Sequence, residues 1–440
     1  MFSKLKKSLK NINYKLYTAL LILGFVPTIY TTVRVFFLGQ LPGEWAFSIA
    51  GQLSWVNLIY EFLNEAIILP LFYFVGKVKE DRNEFSNRVS TGLLISFGVY
   101  LMLSVVVLIF VEPMLKMMAA DASIVEDSAV YIRIESVANI FLILTQFLLV
   151  VLITINKSKY LYAFTIARLL LCLTFDTFLV SALPVSANLG VNGIGYSNII
   201  VNATLFVVAI YFLAKEDINV FAKTRLDFKW LKEFFRIGGI SGAESLVRNV
   251  AYMVMIARMV NVVGEQGTYW VANNFIWGWL LLPVLQLGEL IKQEIAFDKD
   301  NVRRNSPGYF CITILIILVW FVTIPAWKPF MTHVLKFSDV DKLFELVMLL
   351  IGFYGLYAIQ NVFDATFYGL GKTNYMLFES VVTNTIYYGA AFLLYKSNCW
   401  IPSLTGIALL FGIGNAFDGI VSLAAYIHLL KKEYNERGSR

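Results

Sequence analysis

Long apolar runs separated by short polar segments fill almost the whole chain. Most runs are about 20 residues or longer, enough for an α-helix to cross ~30 Å of hydrocarbon. The chain has 440 residues, of which 58% are hydrophobic and 15% charged, whereas soluble domains carry about 25% charge. The pattern predicts an all-α integral membrane protein with twelve transmembrane helices. Their expected bounds are 15–37, 46–76, 89–112, 127–155, 160–183, 190–214, 237–262, 266–295, 307–328, 341–369, 373–395 and 404–430.

Basic residues are concentrated in one set of the connecting segments. This set includes the amino terminus, residues 77–88, the connection 215–236 and the tail after residue 430. The positive-inside rule therefore predicts a multi-pass protein of the bacterial cytoplasmic membrane with both termini in the cytoplasm. The basic amino terminus leads into a full-length span without a small-residue cleavage site, so we expect it to be retained. The net charge of +6 reflects the same bias and does not indicate a nucleic-acid partner.

The connection 215–236 divides the chain into two halves of similar length. It contains the amphipathic stretch 228–237, "FKWLKEFFRI", which suits a helix lying on an anionic leaflet. The two halves also look alike, since "NKSKYLYAF" in the first corresponds to "LGKTNYMLF" in the second, and "PGEWAFSIAGQLSW" corresponds to "VGEQGTYWVANNFIW". A duplicated six-span unit is typical of transporters. We therefore expect an amino-terminal lobe at 1–214, a cytoplasmic linker at 215–236 and a carboxy-terminal lobe at 237–440.

Several segments, in this order along the chain, resemble those of the multidrug and toxic compound extrusion (MATE) transporters. They are "FFLGQLPGEWA", "LFYFVGKVKEDRN", "NLGVNGIGYSNII" and "FYGLGKTNYMLFES". The family belongs to the wider multidrug/oligosaccharidyl-lipid/polysaccharide exporter superfamily. The resemblance covers almost the whole chain and implies two pseudo-symmetric six-helix lobes. It also implies export of small amphipathic organic compounds in exchange for H⁺ or Na⁺.

Charged residues depart from the family's pattern in both lobes. The resemblance places a cation-binding carboxylate of the family at Arg34 on the first span and another at Arg248 on the seventh. An amide and a carboxylate of the fifth span correspond to Cys172 and Asp176, and a polar residue of the sixth span corresponds to Asn198. Arginine thus replaces a carboxylate in each lobe.

Arg34 lies inside an apolar run, where an isolated charge costs at least ~2.5–3.5 kcal/mol. Asp176 could compensate it, and the permanently charged guanidinium would then take the place of an exchangeable cation. The alternative is a structural ion pair, or a side chain that extends toward the outer surface. For Arg248, the residue one turn earlier, Glu244, is a partner in the favourable order.

Three further acidic residues are candidates for carrying a proton. Glu61 and Glu65 lie one turn apart, so two charges would repel and one proton could be shared, unless a neighbouring Arg or Lys pairs with them. Asp364 follows Gln360 and Asn361 on the tenth span, and this polar patch is either functional or a set of interhelical hydrogen bonds.

Neither the cysteines nor the two histidines have the spacing of metal ligands, and no phosphate-binding or nucleophile motif occurs. We therefore expect a transporter that acts without a cofactor and is not an enzyme. Aromatic side chains can bind amphipathic cations by their faces. The candidates for a substrate cleft are Tyr30, Trp55, Tyr252, Trp277 and Trp279.

Three functions fit this pattern. The favoured one is secondary active efflux by alternating access, driven by H⁺ rather than Na⁺, by a monomer in contact with membrane lipid. The second is flipping of lipid-linked oligosaccharides, for which Arg34 and Arg248 could bind a pyrophosphate head group. The third is a membrane scaffold or receptor that kept the fold without coupling.

The predicted topology places the connection 215–236 in the cytoplasm. In a background without the three native cysteines, Lys229→Cys is expected to react with a membrane-impermeant maleimide only after the cells are permeabilised. The matched control is Lys396→Cys, in a connection predicted to face outward, which should react in intact cells. Labelling of Lys229→Cys in intact cells would contradict the topology.

Overall fold

The computed structural model describes residues 2–41, 45–155, 157, 159–220 and 226–438. All regular elements of the described chain are helices and none is a β-strand, so the predicted all-α fold class is confirmed. Residues 42–44 of one predicted sequence match and residues 221–225 of the predicted linker lie outside the described part.

The first half of the described chain forms ten α-helices. They are α1 (Phe2–Asn11), α2 (Tyr14–Leu38), α3 (Ala46–Leu63), α4 (Leu69–Gly76), α5 (Arg82–Met117), α6 (Val125–Thr154), α7 (Lys159–Leu179), α8 (Val191–Lys215), α9 (Leu231–Tyr252) and α10 (Arg258–Val262). The remaining helices are α11 (Gln266–Phe275), α12 (Leu282–Phe297), α13 (Asn301–His333), α14 (Val340–Gly369), α15 (Thr373–Val382), α16 (Gly389–Lys396) and α17 (Leu404–Gly438).

Four π-helical turns interrupt the described helices. Three of them join two α-helical pieces into one longer rod, and the fourth, Ile276–Leu280, ends at a bend before α12. A π-helical turn inserts an extra residue into the helix and is often found at functional sites. The turns are Asn64–Ile68 between α3 and α4, Met253–Ala257 between α9 and α10, Ile276–Leu280 between α11 and α12, and Thr383–Tyr388 between α15 and α16.

The rods agree with the predicted spans. In the described part of the chain, nine helices are long and apolar enough to cross a membrane. The pair Gln266–Leu280 and Leu282–Phe297, bent by 51°, makes a tenth. The rods at 231–262 and 373–396 coincide with the seventh and eleventh predicted spans. Acidic and basic residues such as Glu244, Arg248 and Glu379 make these two rods less apolar.

The described chain packs as two compact units. One unit is Ile29–Trp270, and the other combines Met1–Thr28 with Val271–Arg440. The first has a core around Val56, Phe147 and Leu205. Both boundaries fall inside helices, α2 and α11, and therefore differ from the expected division at 215–236. The pseudo-symmetric lobes at 1–214 and 237–440 stay a prediction.

The stretch 228–237 does not form a separate surface helix. Residues from Leu231 onward belong to α9, which runs on without interruption to Tyr252. Trp230 and Phe234 are buried against Phe74, with ring centroids 5.8 and 5.6 Å away. One side of this turn, with Trp230 and Phe234, packs into the core of the first unit, whereas Phe228, Phe235 and Lys229 are exposed.

The basic amino terminus forms a helix of its own, which the sequence did not separate from the first span. The side chain of Ser8 fixes α1 on α13, because its Oγ donates to Asn305 O at 2.9 Å and accepts from Gly308 N at 2.8 Å. Ile12 is buried in the same contact. The lysines of α1 follow a strongly amphipathic pattern on the remaining faces.

Glycines allow α9 to approach the π-helical turn Asn64–Ile68 closely. A Cβ atom at Gly238 would lie 2.1 Å from Ala66 O, and one at Gly242 would lie 2.7 Å from Ala66 Cβ. A Cβ atom at the adjacent Gly239 would meet nothing within 4 Å. The close contact brings α9 and its charged residues against α3.

Gly238→Ala is expected to lower the melting temperature of the detergent-solubilised protein, because the added methyl group forces two helices apart at a cost of about 1–3 kcal/mol. The matched control is Gly239→Ala, which gains up to ~1 kcal/mol of helix propensity without a clash. Equal melting temperatures for the two variants would show that the close approach does not support the fold.

Candidate functional site

Arg34 on α2, Asp176 on α7 and Asn198 on α8 come together in the unit Ile29–Trp270. Arg34 Nε donates to Asp176 Oδ2 at 2.7 Å, and Nη2 donates to Asp176 Oδ1 at 3.3 Å. Nη2 also donates to Asn198 Oδ1 at 2.7 Å. Two donors on one carboxylate form a bidentate charge-assisted pair. The ion pair expected from the sequence is therefore present in the structure.

A second carboxylate is connected to this pair through Asn198. Asn198 Nδ2 donates to Glu135 Oε1 at 2.7 Å. Glu135 is 3% exposed and Asp176 is fully buried. One guanidinium thus faces two buried carboxylates, so the group carries an excess negative charge unless a proton binds. We call Arg34, Glu135, Asp176 and Asn198 the Arg34 site.

Sequence reasoning missed Glu135. The available signal was an acidic residue inside the apolar run predicted to span the membrane at 127–155, where an ionisable group marks a functional site by default. Its connection to Arg34 could not be read from the sequence, because α2, α6 and α8 meet only in the folded chain.

The remaining surroundings of the Arg34 guanidinium are Cys172 and Tyr30. Nη2 lies 3.7 Å from Cys172 Sγ, and Cζ lies 5.4 Å from the ring centroid of Tyr30, a cation–π distance. The guanidinium is a fixed cation because it does not lose its proton in proteins. A thiol does not provide the oxygen ligands that hard cations prefer. No group of three or more His, Cys, Asp or Glu among the described residues could hold a metal ion.

Arg248 on α9 contacts three carboxylates in the same unit. Its Nη1 donates to Glu244 Oε1 at 3.1 Å, and its Nη2 donates to Glu65 Oε1 at 2.8 Å and lies 3.5 Å from Glu61 Oε1. The expected pair with Glu244 is present, and Glu61 and Glu65 pair with a neighbouring arginine instead of standing as an isolated couple. The side chains of Glu61 and Arg248 are 46% and 39% exposed, so this Arg248 site is open.

Asp364 belongs to a cluster in the other unit, which contains Val271–Arg440. Gln360 Nε2 donates to Asp418 Oδ2 at 2.6 Å and lies 3.3 Å from Asp364 Oδ2. The polar patch predicted on the tenth span therefore connects α14 with α17. We call the whole group the acidic cluster. Its members are Gln360, Asp364, Glu379, Thr383, Asp418 and Ser422.

The aromatic candidates differ in exposure. Trp55 is only 1% exposed, and its Nε1 donates to Gln52 Oε1 at 3.0 Å, which favours a packing role. Trp277 is 38% exposed and lies edge-on to Tyr357. The other candidates also contact neighbouring aromatic or charged groups: Tyr30 contacts Arg34, Tyr252 contacts Tyr269, and Trp279 contacts Phe25.

The π-helical turns coincide with several candidates. Glu65 lies in Asn64–Ile68, Trp277 and Trp279 lie in Ile276–Leu280, and Thr383 of the acidic cluster begins Thr383–Tyr388. An inserted residue rotates the side chains that follow it about the helix axis. The turns therefore set which way these side chains face, and π-helical turns are frequent at functional sites.

Removal of either partner of the buried Arg34–Asp176 pair should strand the other charge, at ~3–5 kcal/mol. We expect Arg34→Ala and Asp176→Asn each to lower the melting temperature in detergent, and the double variant to recover much of the loss. The control cycle uses Arg133 and Glu112, a half-exposed pair at 2.8 Å, for which ~0–1 kcal/mol is expected. Additive shifts at the Arg34 site would contradict the coupling.

Comparison with known proteins identifies the fold to which this arrangement of helices corresponds. The MatE family model matches residues 25–178. A MATE transporter of the MOP superfamily in an inward-facing conformation superposes with a TM-score of 0.77 at 16% identity, covering 92% of this chain and 94% of its own. An outward-facing structure of such a transporter gives a TM-score of 0.71 at 16% identity, covering 97% and 98%.

A MOP superfamily transporter from Pyrococcus furiosus, described as having a binding pocket of reverse polarity that suggests a different function, gives a TM-score of 0.65 at 16% identity, covering 97% of each chain. No curated protein matches the chain closely. The chain therefore contains a MatE domain at residues 25–178 and has, over almost its whole length, the fold of the MATE transporters.

Proposed function

We propose that the chain is a secondary active transporter that exports small amphipathic organic compounds by alternating access, driven by H⁺ rather than Na⁺. The MatE domain and the MATE fold support transport. The observation that carries the choice of ion is the position of the Arg34 guanidinium, which is bonded to both Asp176 and Asn198.

A fixed cation at this position disfavours Na⁺. Arg34 already engages both carboxylate oxygens of Asp176 and the amide oxygen of Asn198. A like charge at ~4 Å repels a sodium ion by ~4 kcal/mol at an effective dielectric constant near 20. Cys172 adds no oxygen ligand. The resemblance to the MATE family places the family's exchangeable cation at this position. Because Arg34 occupies it here, we propose that the ion that drives this transporter does not bind between Asp176 and Asn198.

Protons are the simplest alternative, because they bind to carboxylates that lack a cation. The Arg34 site has two carboxylates, Asp176 and Glu135, for one guanidinium, and the Arg248 site has three carboxylates for one arginine. Buried or clustered carboxylates favour the protonated form. The coupling candidates of this proposal are therefore Glu135 together with Glu61, Glu65 and Asp364.

The Arg248 site is proposed to contribute to substrate recognition. Its excess negative charge and partial exposure suit an amphipathic organic cation. Aromatic faces of the same unit, such as those of Tyr30 and Tyr252, would add cation–π contacts. In this proposal the protein acts as a monomer in the bacterial cytoplasmic membrane, with both termini in the cytoplasm and lobes at 1–214 and 237–440.

The geometry does not favour a flippase of lipid-linked oligosaccharides. Such an activity would need arginines that are available for a pyrophosphate group, but Arg34 is bound to Asp176 and Arg248 contacts three carboxylates. The Pyrococcus furiosus protein of the same fold is described as having a binding pocket of reverse polarity, so the fold alone does not fix the charge of the pocket. The driving ion of this chain therefore needs a direct test.

The test is transport of ethidium, a fluorescent amphipathic cation, into or out of proteoliposomes with either a pH gradient or a Na⁺ gradient imposed alone. We expect the pH gradient to drive transport and the Na⁺ gradient to have no effect. The control is Glu112→Gln, at the half-exposed ion pair with Arg133, and it should behave as wild type. Transport driven by Na⁺ alone and abolished by Asp176→Asn would show that Arg34 does not occupy the cation's place.

A further inference from the structure

The amino-terminal helix α1 is fixed on α12 and α13 of its own unit. The fully buried Ser8 Oγ donates to Asn305 O at 2.9 Å and accepts from Gly308 N at 2.8 Å. Just after the helix, Asn13 N donates to Glu294 Oε1 at 2.7 Å. Because both ends of this contact are held, the faces that α1 turns away from α13 are fixed as well.

The helix α1 lies where three of the predicted spans begin or end. Tyr14 begins α2 directly after it. On the neighbouring helices, Asn305 immediately precedes the predicted span 307–328, and Glu294 lies at the end of the predicted span 266–295. A helix at this level meets the headgroup region of a bilayer rather than its hydrocarbon interior.

Four lysines on α1 have no counter-ion within the described part of the chain. All four are exposed, and none forms an ion pair or a side-chain hydrogen bond there. The helix contains no acidic residue, and Glu294 beside its end already accepts hydrogen bonds from Asn305 and Tyr309. The four ammonium groups are therefore available to an external anion. They belong to Lys4, Lys6, Lys7 and Lys10.

Two of these lysines border a groove with an apolar floor. The groove has a volume of about 490 Å³. Its floor contains Leu5 and Leu9, which are half-buried and one helical turn apart. Lys6 and Lys10 also lie one turn apart, on one side of the helix. Tyr14, which is 46% exposed, adds a phenol group at the start of α2.

An anionic phospholipid has the chemistry that this groove fits. Its phosphate group accepts charge-assisted hydrogen bonds from ammonium groups, and the adjoining acyl chain is apolar. A zwitterionic headgroup carries a positive charge of its own, which the lysines would repel. Free phosphate could bind the lysines but would leave the apolar floor of Leu5 and Leu9 unused.

We propose that α1 binds one anionic phospholipid in this groove. The phosphate group lies between Lys6 and Lys10, with Tyr14 as a further donor. The acyl chain runs along Leu5 and Leu9. Such a lipid joins α1 to the start of α2, so it stabilises the docked position of the amino-terminal helix. Lipid binding at α1 requires neither the transported compound nor the driving ion proposed above.

The test measures lipid binding to the purified full chain in detergent by native mass spectrometry. Phosphatidylglycerol and phosphatidylcholine with the same acyl chains are titrated separately. We expect the first phosphatidylglycerol to bind more tightly than phosphatidylcholine. A lysine near an anionic lipid surface contributes about fivefold in affinity, so the double variant Lys6→Gln and Lys10→Gln should bind phosphatidylglycerol roughly 25-fold more weakly.

The matched control is the double variant Lys4→Gln and Lys7→Gln, which removes the same charge from the same helix outside the groove. It should keep most of the affinity for the first lipid, and the double variant Lys6→Arg and Lys10→Arg should bind like the wild type. All four lysines are exposed, so the variants should melt like the wild type in the absence of lipid. Equal losses in the two glutamine variants would show diffuse attraction to the helix and would reject the groove.

Two further measurements can contradict the proposal. Equal affinity of the wild type for the two lipids would remove the role of charge. Inorganic phosphate and sodium chloride at the same ionic strength should weaken binding equally, because both act by screening. Stronger competition by phosphate would instead identify a site for a soluble anion.

Thermal unfolding gives an independent readout of the same site. A ligand that binds only the folded protein stabilises it, so phosphatidylglycerol should raise the melting temperature of the wild type. The increase should be smaller in the double variant Lys6→Gln and Lys10→Gln. Equal increases in the two proteins would show that the stabilising lipid binds elsewhere and would contradict the assignment to α1.

Discussion

Buried charges need partners inside an apolar helical protein, because neither lipid nor hydrocarbon side chains can solvate them. Arg34 and Asp176 meet this requirement with a bidentate pair, and Asn198 extends the pair to Glu135. The pair joins α2 to α7, and the amide joins both to α6 and α8. The position of four helices in one unit thus depends on a single network of buried charged and polar groups.

The three polar groups of the described chain differ in how many cations they contain. The Arg34 site has one guanidinium for two carboxylates, the Arg248 site has one for three, and the acidic cluster has none for three. A guanidinium is a permanent cation, whereas a proton can leave. A permanent cation therefore balances part of the charge in the first two groups, whereas neutral donors, Thr383 and Gln360, hold Asp418 of the acidic cluster.

Close helix contacts and π-helical turns give these groups their geometry. Gly238 and Gly242 let α9 lie against Ala66, which brings Arg248 within reach of Glu65 in the adjacent π-helical turn. Thr383 begins another such turn and donates to Asp418. The extra residue in each turn changes the direction of the side chains that follow, so a regular helix through the same sequence would not present them in the same way.

The sequence by itself determined the all-helical class, the order of the apolar rods and the need for a partner at Arg34, because apolar run length and the cost of an isolated charge are local properties. It also identified Glu244 as a partner of Arg248 from i,i+4 spacing. It did not find Glu135, the identity of Arg248 as the partner of Glu61 and Glu65, or the contact of Ser422 with Asp364. It also misread the buried face of Trp230 and Phe234 as a membrane-surface pattern. These features join residues from different helices, and only packing decides which helices meet and which face each one presents.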